Sequence, residues 1–144
     1  MKEMKCQKYR IIDVLHSGEY KGRKFAILNL GVHPTAYVEL KAVEVQKSSN
    51  YDDYDLNVHG GFTFLGEAYW NKEDKSKYIG WDYAHCDDFS GIYIDDNFWH
   101  WKQNTKQYST QEIFEEVKSV IDQFEKAKWV DVTEPHFVLK IKED

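Results

Sequence analysis

Ser109-Thr110-Gln111-Glu112, followed by Ile113, Val117, Val120, Ile121 and Phe124, is the stretch whose reading decides the fold. The serine and the glutamate three residues on form a capping box, in which each side chain satisfies a backbone donor left free at a helix start. The apolar residues then recur at helical spacing and make a single buried face, with Glu115, Glu116, Lys118, Asp122, Glu125 and Lys126 on the polar one. The pattern predicts a helix ending near Lys128, roughly 27 Å long at 1.5 Å per residue and able to cross four or five strands. Working back from it, strands are expected over Tyr9–Leu15, Lys24–Leu30 and Thr35–Leu40. Two more are expected over His59–Phe64 and from Tyr78 into Asp82. Ser17 to Gly22 reads as a turn, and Asn71 to Lys77 as a polar hairpin tip on the surface. Ile92 to Trp101 reads either as two short aromatic strands about Asp95-Asp96-Asn97 or as loop. After the helix, Glu134-Pro135 breaks the chain and Phe137–Lys142 reads as a last strand. Strands followed by one long helix give an α+β fold: a largely antiparallel sheet of about five or more strands, covered by a C-terminal helix.

The 144 residues are expected to form a single domain, 1–144, without internal repeats or low-complexity segments. Aromatic residues make up 16% of the chain, which suits half-buried sheet surfaces and contacts with a partner. The net charge of −6 argues against direct nucleic-acid binding, which needs clustered Lys and Arg, and suits a basic partner. Cys6 and Cys86 are too few for a disulfide framework. With no secretory pattern after Met1 and no apolar run near the roughly 20 residues that span a bilayer, a cytoplasmic protein is expected.

The chemistry concentrates between His59 and Asp88. His33, His59 and His85 fall at predicted strand ends, and Asp82 stands three residues before His85. Three imidazoles and a carboxylate suit zinc, which is commonly held by four ligands. Cys86 is an alternative ligand, although neighbours on a strand point to opposite faces and His85 and Cys86 reach one ion only if the chain turns there. Asp88 is either a further ligand or the acceptor that fixes an imidazole tautomer. The plainer reading is a set of surface and core histidines, with Asp87-Asp88 making a polar turn. Other templates fail. Gly60-Gly61 lacks the spacing and lysine of a phosphate loop, no serine sits in a nucleophile elbow, and the aromatic run Tyr93, Phe98, Trp99, Trp101 lacks interleaved basic residues.

Three ordered blocks between roughly residues 24 and 90 carry a resemblance. They are His33-Pro34-Thr35-Ala36-Tyr37-Val38; Tyr51-Asp52-Asp53 through His59-Gly60-Gly61; and Gly80-Trp81-Asp82-Tyr83-Ala84-His85-Cys86-Asp87-Asp88. In these the chain resembles a family of small phage and Firmicutes proteins, and is similar to zinc-containing anti-CRISPR inhibitors of the type II RNA-guided nuclease. The resemblance implies that His33, His59, Asp82, His85 and Asp88 are the shared polar positions. It also implies a structural zinc and a CRISPR effector nuclease as protein partner, kept from loading nucleic acid. One departure is Tyr83, where relatives often carry cysteine; Cys86 falls in a variable slot. A metal-dependent hydrolase using the same His/Asp site is the alternative, with one zinc position left to a water of lowered pKa.

Overall fold

The computed structural model describes residues 13–29, 33–83, 108–133 and 136–141. Strands β1 (Asp13–Tyr20), β2 (Arg23–Asn29), β3 (Pro34–Leu40), β5 (Phe64–Glu67) and β6 (Lys77–Asp82) form one antiparallel sheet in the order β1-β2-β3-β6-β5. A short helix α1 (Ala42–Lys47) and a 3₁₀ turn (Tyr51–Asp53) lead into β4 (Tyr54–Asp55). The long helix α2 (Thr110–Lys126) runs directly into β7 (Ala127–Thr133), and β8 (His136–Ile141) follows. These last strands make a second sheet, β4-β8-β7, in which β4 pairs parallel with β8. The α+β fold therefore stands, with a largely antiparallel main sheet and one long helix near the C-terminus.

The capping box forms as read. Ser109 Oγ accepts from the Glu112 amide at 3.1 Å, and Glu112 Oε1 accepts from the Ser109 amide at 3.0 Å. Ile113, Val117, Val120, Ile121 and Phe124 are all buried and pack on one face of the main sheet against Phe25, Ile27, Val38, Ile79 and Trp81. Each such side chain removed from water contributes roughly 1.5–3 kcal/mol before the entropy of ordering is subtracted. Strand alternation sends Ala26, Leu28, Tyr37 and Tyr78 to the opposite face, where Ala68, Phe64 and Trp70 from the β5 side cover them. Trp70 lies tilted on Tyr37, their ring centroids 4.5 Å apart.

Several boundaries move. The first strand extends past Leu15 to Tyr20: β1 carries Ser17-Gly18 within its ladder, and the turn is Lys21-Gly22, both with positive φ. The helix stops at Lys126, not near Lys128, and the unforeseen β7 begins at the next residue. His59 to Gly61 is a turn rather than the start of a strand, and β5 begins only at Phe64. Residues 9–12, the aromatic run 92–101, His85, Cys86 and Asp88 lie outside the described residues.

The loop over the second sheet face is held by one carboxylate. Asp74 accepts from Lys24 Nζ at 3.1 Å, from the Ser76 amide at 3.0 Å and from the Tyr78 hydroxyl at 2.6 Å. Burial alone raises a carboxyl pKa, but these donors outweigh it and hold Asp74 down at about 2, from an ordinary 3.8. Its folded pKa is depressed, so its contribution is complete above about pH 4 and is lost as the pH falls toward 2. Asp74→Asn is expected to lower stability by about 2 kcal/mol at neutral pH. Urea midpoints measured across that window should then fall less steeply with acid than in the wild type; an unchanged slope would refute the assignment.

Candidate functional site

The His-Gly-Gly block is a turn built on backbone freedom. Gly60 and Gly61 both take left-handed φ values, +70° and +84°, and the Gly61 amide closes on the Val58 carbonyl at 3.0 Å. The turn brings His59 against the helix side of the sheet. Its ring stacks on Tyr83, with centroids 4.6 Å apart and planes 17° from parallel, and meets the edge of Tyr108 at 5.0 Å. Its backbone amide donates to Glu116 Oε2 at 2.6 Å.

Tyr83 is the hub of this end of the molecule. It is buried, its hydroxyl donates to Glu116 Oε1 and accepts from the Trp81 indole at 3.1 Å. Burial, reinforced by the Glu116 carboxylate, pushes that hydroxyl well above the usual phenol range, so it stays a neutral donor. Glu116 thus spends both oxygens on the turn and on Tyr83, the residue after β6. Two helical turns away, Gln123 completes the seam: its side chain accepts from the Asn57 amide at 2.7 Å and donates to the Asn57 carbonyl at 2.8 Å. Segment 57–59 is laced along α2 by these bonds. The sequence sets Glu116 on the polar face of the helix; its position beside Ile113 and Val120 on the helical wheel is the signal that it borders the buried stripe.

The other candidates are distributed as follows. Asp82 follows buried Trp81 and precedes buried Tyr83, so alternation places it on the opposite face from His59. There it accepts from Thr63 Oγ1 at 3.3 Å and its charge acts on the Tyr37 hydroxyl. His33, half-buried, stands at the entrance to β3, with Nδ1 3.4 Å from the Pro34 carbonyl oxygen. The same carbonyl accepts from the Tyr83 amide at 3.1 Å. His33 and the Tyr83 amide therefore meet at the Pro34 carbonyl, His59 stacks on the Tyr83 ring, and Asp82 faces away from His59. Among the described residues no group of three or more His, Cys, Asp or Glu converges where an ion could be held. His33, His59 and Asp82 do not by themselves make a zinc site, and His85 and Asp88 lie outside the description.

Electrostatically the described surface is uneven. Helix α2 carries Glu112, Glu115, Glu116, Asp122 and Glu125 against Lys118 and Lys126, and segment 51–59 adds Asp52, Asp53 and Asp55 with no Lys or Arg. The helix contributes −3 and the segment −3, which together equal the formal net charge of −6 and leave the rest of the chain balanced. Gln123 and Glu116 tie residues 57–59, the end of this acidic segment, to the helix, while Asp55 stands opposite Lys140 of β8. Lys21 crosses from the β1–β2 turn to pair with Asp122 at 2.7 Å, and His136 meets Asp53 at 2.7 Å. Asp52, Asp55 and Glu125 remain exposed.

Among the described residues no helix is long and apolar enough to cross a membrane. Comparison of the chain with protein-family models, curated proteins and solved structures finds no match.

Proposed function

We propose that this protein is an inhibitor acting by protein–protein contact in the bacterial cytoplasm, with a basic nuclease of the type II CRISPR class as its partner. The reading joins the resemblance of the His33, His59 and His85 blocks to one observation of the fold, the concentration of negative charge in α2 and in residues 51–59, which are joined at Asn57 and His59. A concentrated field of one sign steers a basic partner to its docking face and competes with nucleic acid for the same cationic channel. The inhibitor would act before guide or target is loaded, occupying the partner rather than altering it.

The purified chain is expected to bind and inhibit such a nuclease at micromolar concentration or below, less tightly as salt rises. Reversing Asp52, Asp55 and Glu125 to lysine should weaken binding by about tenfold or more, chiefly by slowing association. No binding and no inhibition at micromolar protein would end this proposal.

A structural zinc belongs to the same reading, supported by the resemblance. Elemental analysis of tag-free protein should find about one zinc per chain, lost in His33→Ala and in His85→Ala. His59→Ala is less diagnostic, because its ring packs on Tyr83 whether or not a metal is held. Wild-type protein without zinc, even after growth in added zinc, would remove the metal from the proposal.

A further inference from the structure

Strand β1 is the edge of the main sheet, hydrogen-bonded only to β2 among the described residues, and seven of its eight residues are exposed. Exposed edges of this length present a row of backbone donors and acceptors to any extended chain that meets them. Three features of β1 bear on what could pair there. Val14 and Leu15 leave 49% and 41% of their surface open, an unusual exposure for residues of their size at the start of a strand. Asp13 and Glu19 are the acidic side chains of β1; neither makes an ion pair among the described residues, although Glu19 stands opposite Lys24 in the ladder, whose ammonium is turned to Asp74. Beside β1, on the second sheet face, lies a groove of about 510 Å³ lined by Val14, Ala26, Trp70, Tyr78 and Glu19 and by the ion-paired Lys24 and Asp74.

We propose that β1 receives an extended, basic segment of the protein partner as an added strand. Main-chain bonds along the free edge would supply affinity, and alternate side chains of the incoming strand would enter the groove, apolar ones over Val14 and lysine or arginine toward Glu19. The charge of the edge selects the occupant. A second copy of this chain would set Asp13 and Glu19 near their own counterparts, whereas a basic strand neutralises both. The opposite side of β1 fits the same partner. His16 packs edge-on against Phe114 of α2 at 4.8 Å, which places the strand along the flank of the acidic helix. This inference deepens the proposed function, resting on its basic partner and adding a second surface with its own mode of contact.

The test uses the full chain and two short fluorescent peptides, one alternating valine with lysine and one alternating valine with glutamate. The lysine peptide is expected to bind and to slow hydrogen exchange of β1 amides, and the glutamate peptide is not. Val14→Lys, which fills the groove with like charge, and Ser17→Pro, which removes a strand donor, should each weaken the lysine peptide by about tenfold. Val14→Lys leaves the ladder intact and keeps the test valid if the proline variant unfolds. The variant with Asp52, Asp55 and Glu125 reversed should still bind the peptide, which separates this site from the acidic charge of α2 and residues 51–59. Failure of the lysine peptide to bind, equal binding by the glutamate peptide, or protection that falls on α2 instead of β1 would each overturn the inference, whatever the nuclease assay gives.

Discussion

Gly80→Ala is expected to cost about 3 kcal/mol and to leave the chain poorly folded. Gly80 is buried in β6, flanked by Tyr37 of β3 and Phe64 of β5. A Cβ there would lie 2.4 Å from Tyr37 Cδ1, 2.7 Å from Cε1 and 2.8 Å from the Ala36 carbonyl oxygen. None of these can yield cheaply. The carbonyl is backbone of the central ladder, and the Tyr37 ring is wedged between Phe64 at 5.2 Å and Trp70 at 4.5 Å, its hydroxyl bonded to that of Tyr69. Gly61→Ala is the control, because it separates space from backbone angle. Nothing lies within 4 Å of its added Cβ, but its φ of +84° penalises a side chain by about 1 kcal/mol. Urea denaturation should show a midpoint for Gly80→Ala well below that of Gly61→Ala. The reverse order would mean that Tyr37 is free to move, and the packed second face would then be wrong.

What the sequence disclosed and what it hid divide by how local the signal is. The α2 capping box and its apolar stripe lie within one element, so spacing alone located them, and the placement of Val117, Val120 and Phe124 in the core followed. Strand β1 runs beyond the expected Leu15 because Ser17-Gly18, turn residues by type, stay in the ladder: Ser17 pairs with Ala26 and Gly18 with Phe25. The second sheet was hidden because no breaker separates Lys126 from Ala127; only the β-branched and aromatic character of Trp129, Val130 and Val132 marked the change of structure.

At the candidate site, alternation along β6 already told that Asp82 parts from Trp81 and Tyr83. What no local rule gave was the face of His59, which is fixed by the two left-handed glycines that follow it. Glu116 bonds to Tyr83 and to His59, 33 and 57 residues away in the chain, beyond the reach of any periodicity.

The same nonlocality governs the second large effect. Glu44→Ala is expected to cost about 3–5 kcal/mol, because it strands a buried guanidinium. Arg23 is only 3% exposed, and its two terminal nitrogens meet the Glu44 carboxylate at 2.8 and 2.5 Å, a fork-to-fork pair. The guanidinium also donates to the Glu39 carbonyl at 2.9 Å and lies 4.3 Å over the Phe124 ring, so β2, α1 and α2 meet on it. Its Nε already lacks a partner, which leaves no spare acceptor to receive the charge once the carboxylate is gone. Glu44 matters locally as well: its Oε1 accepts from the Lys41 amide at 2.7 Å and opens α1. Arg23→Met combined with Glu44→Met tests the electrostatic account, since it removes both charges while keeping the volume. The double variant is expected to recover most of the stability lost in Glu44→Ala, and a thermodynamic cycle through the single variants gives the coupling. A single-variant cost under about 1 kcal/mol would mean that water reaches Arg23 and that the pair is not buried as described. A double variant as weak as Glu44→Ala would instead assign the loss to the Lys41 cap and the packing over Phe124, with charge having little part in it.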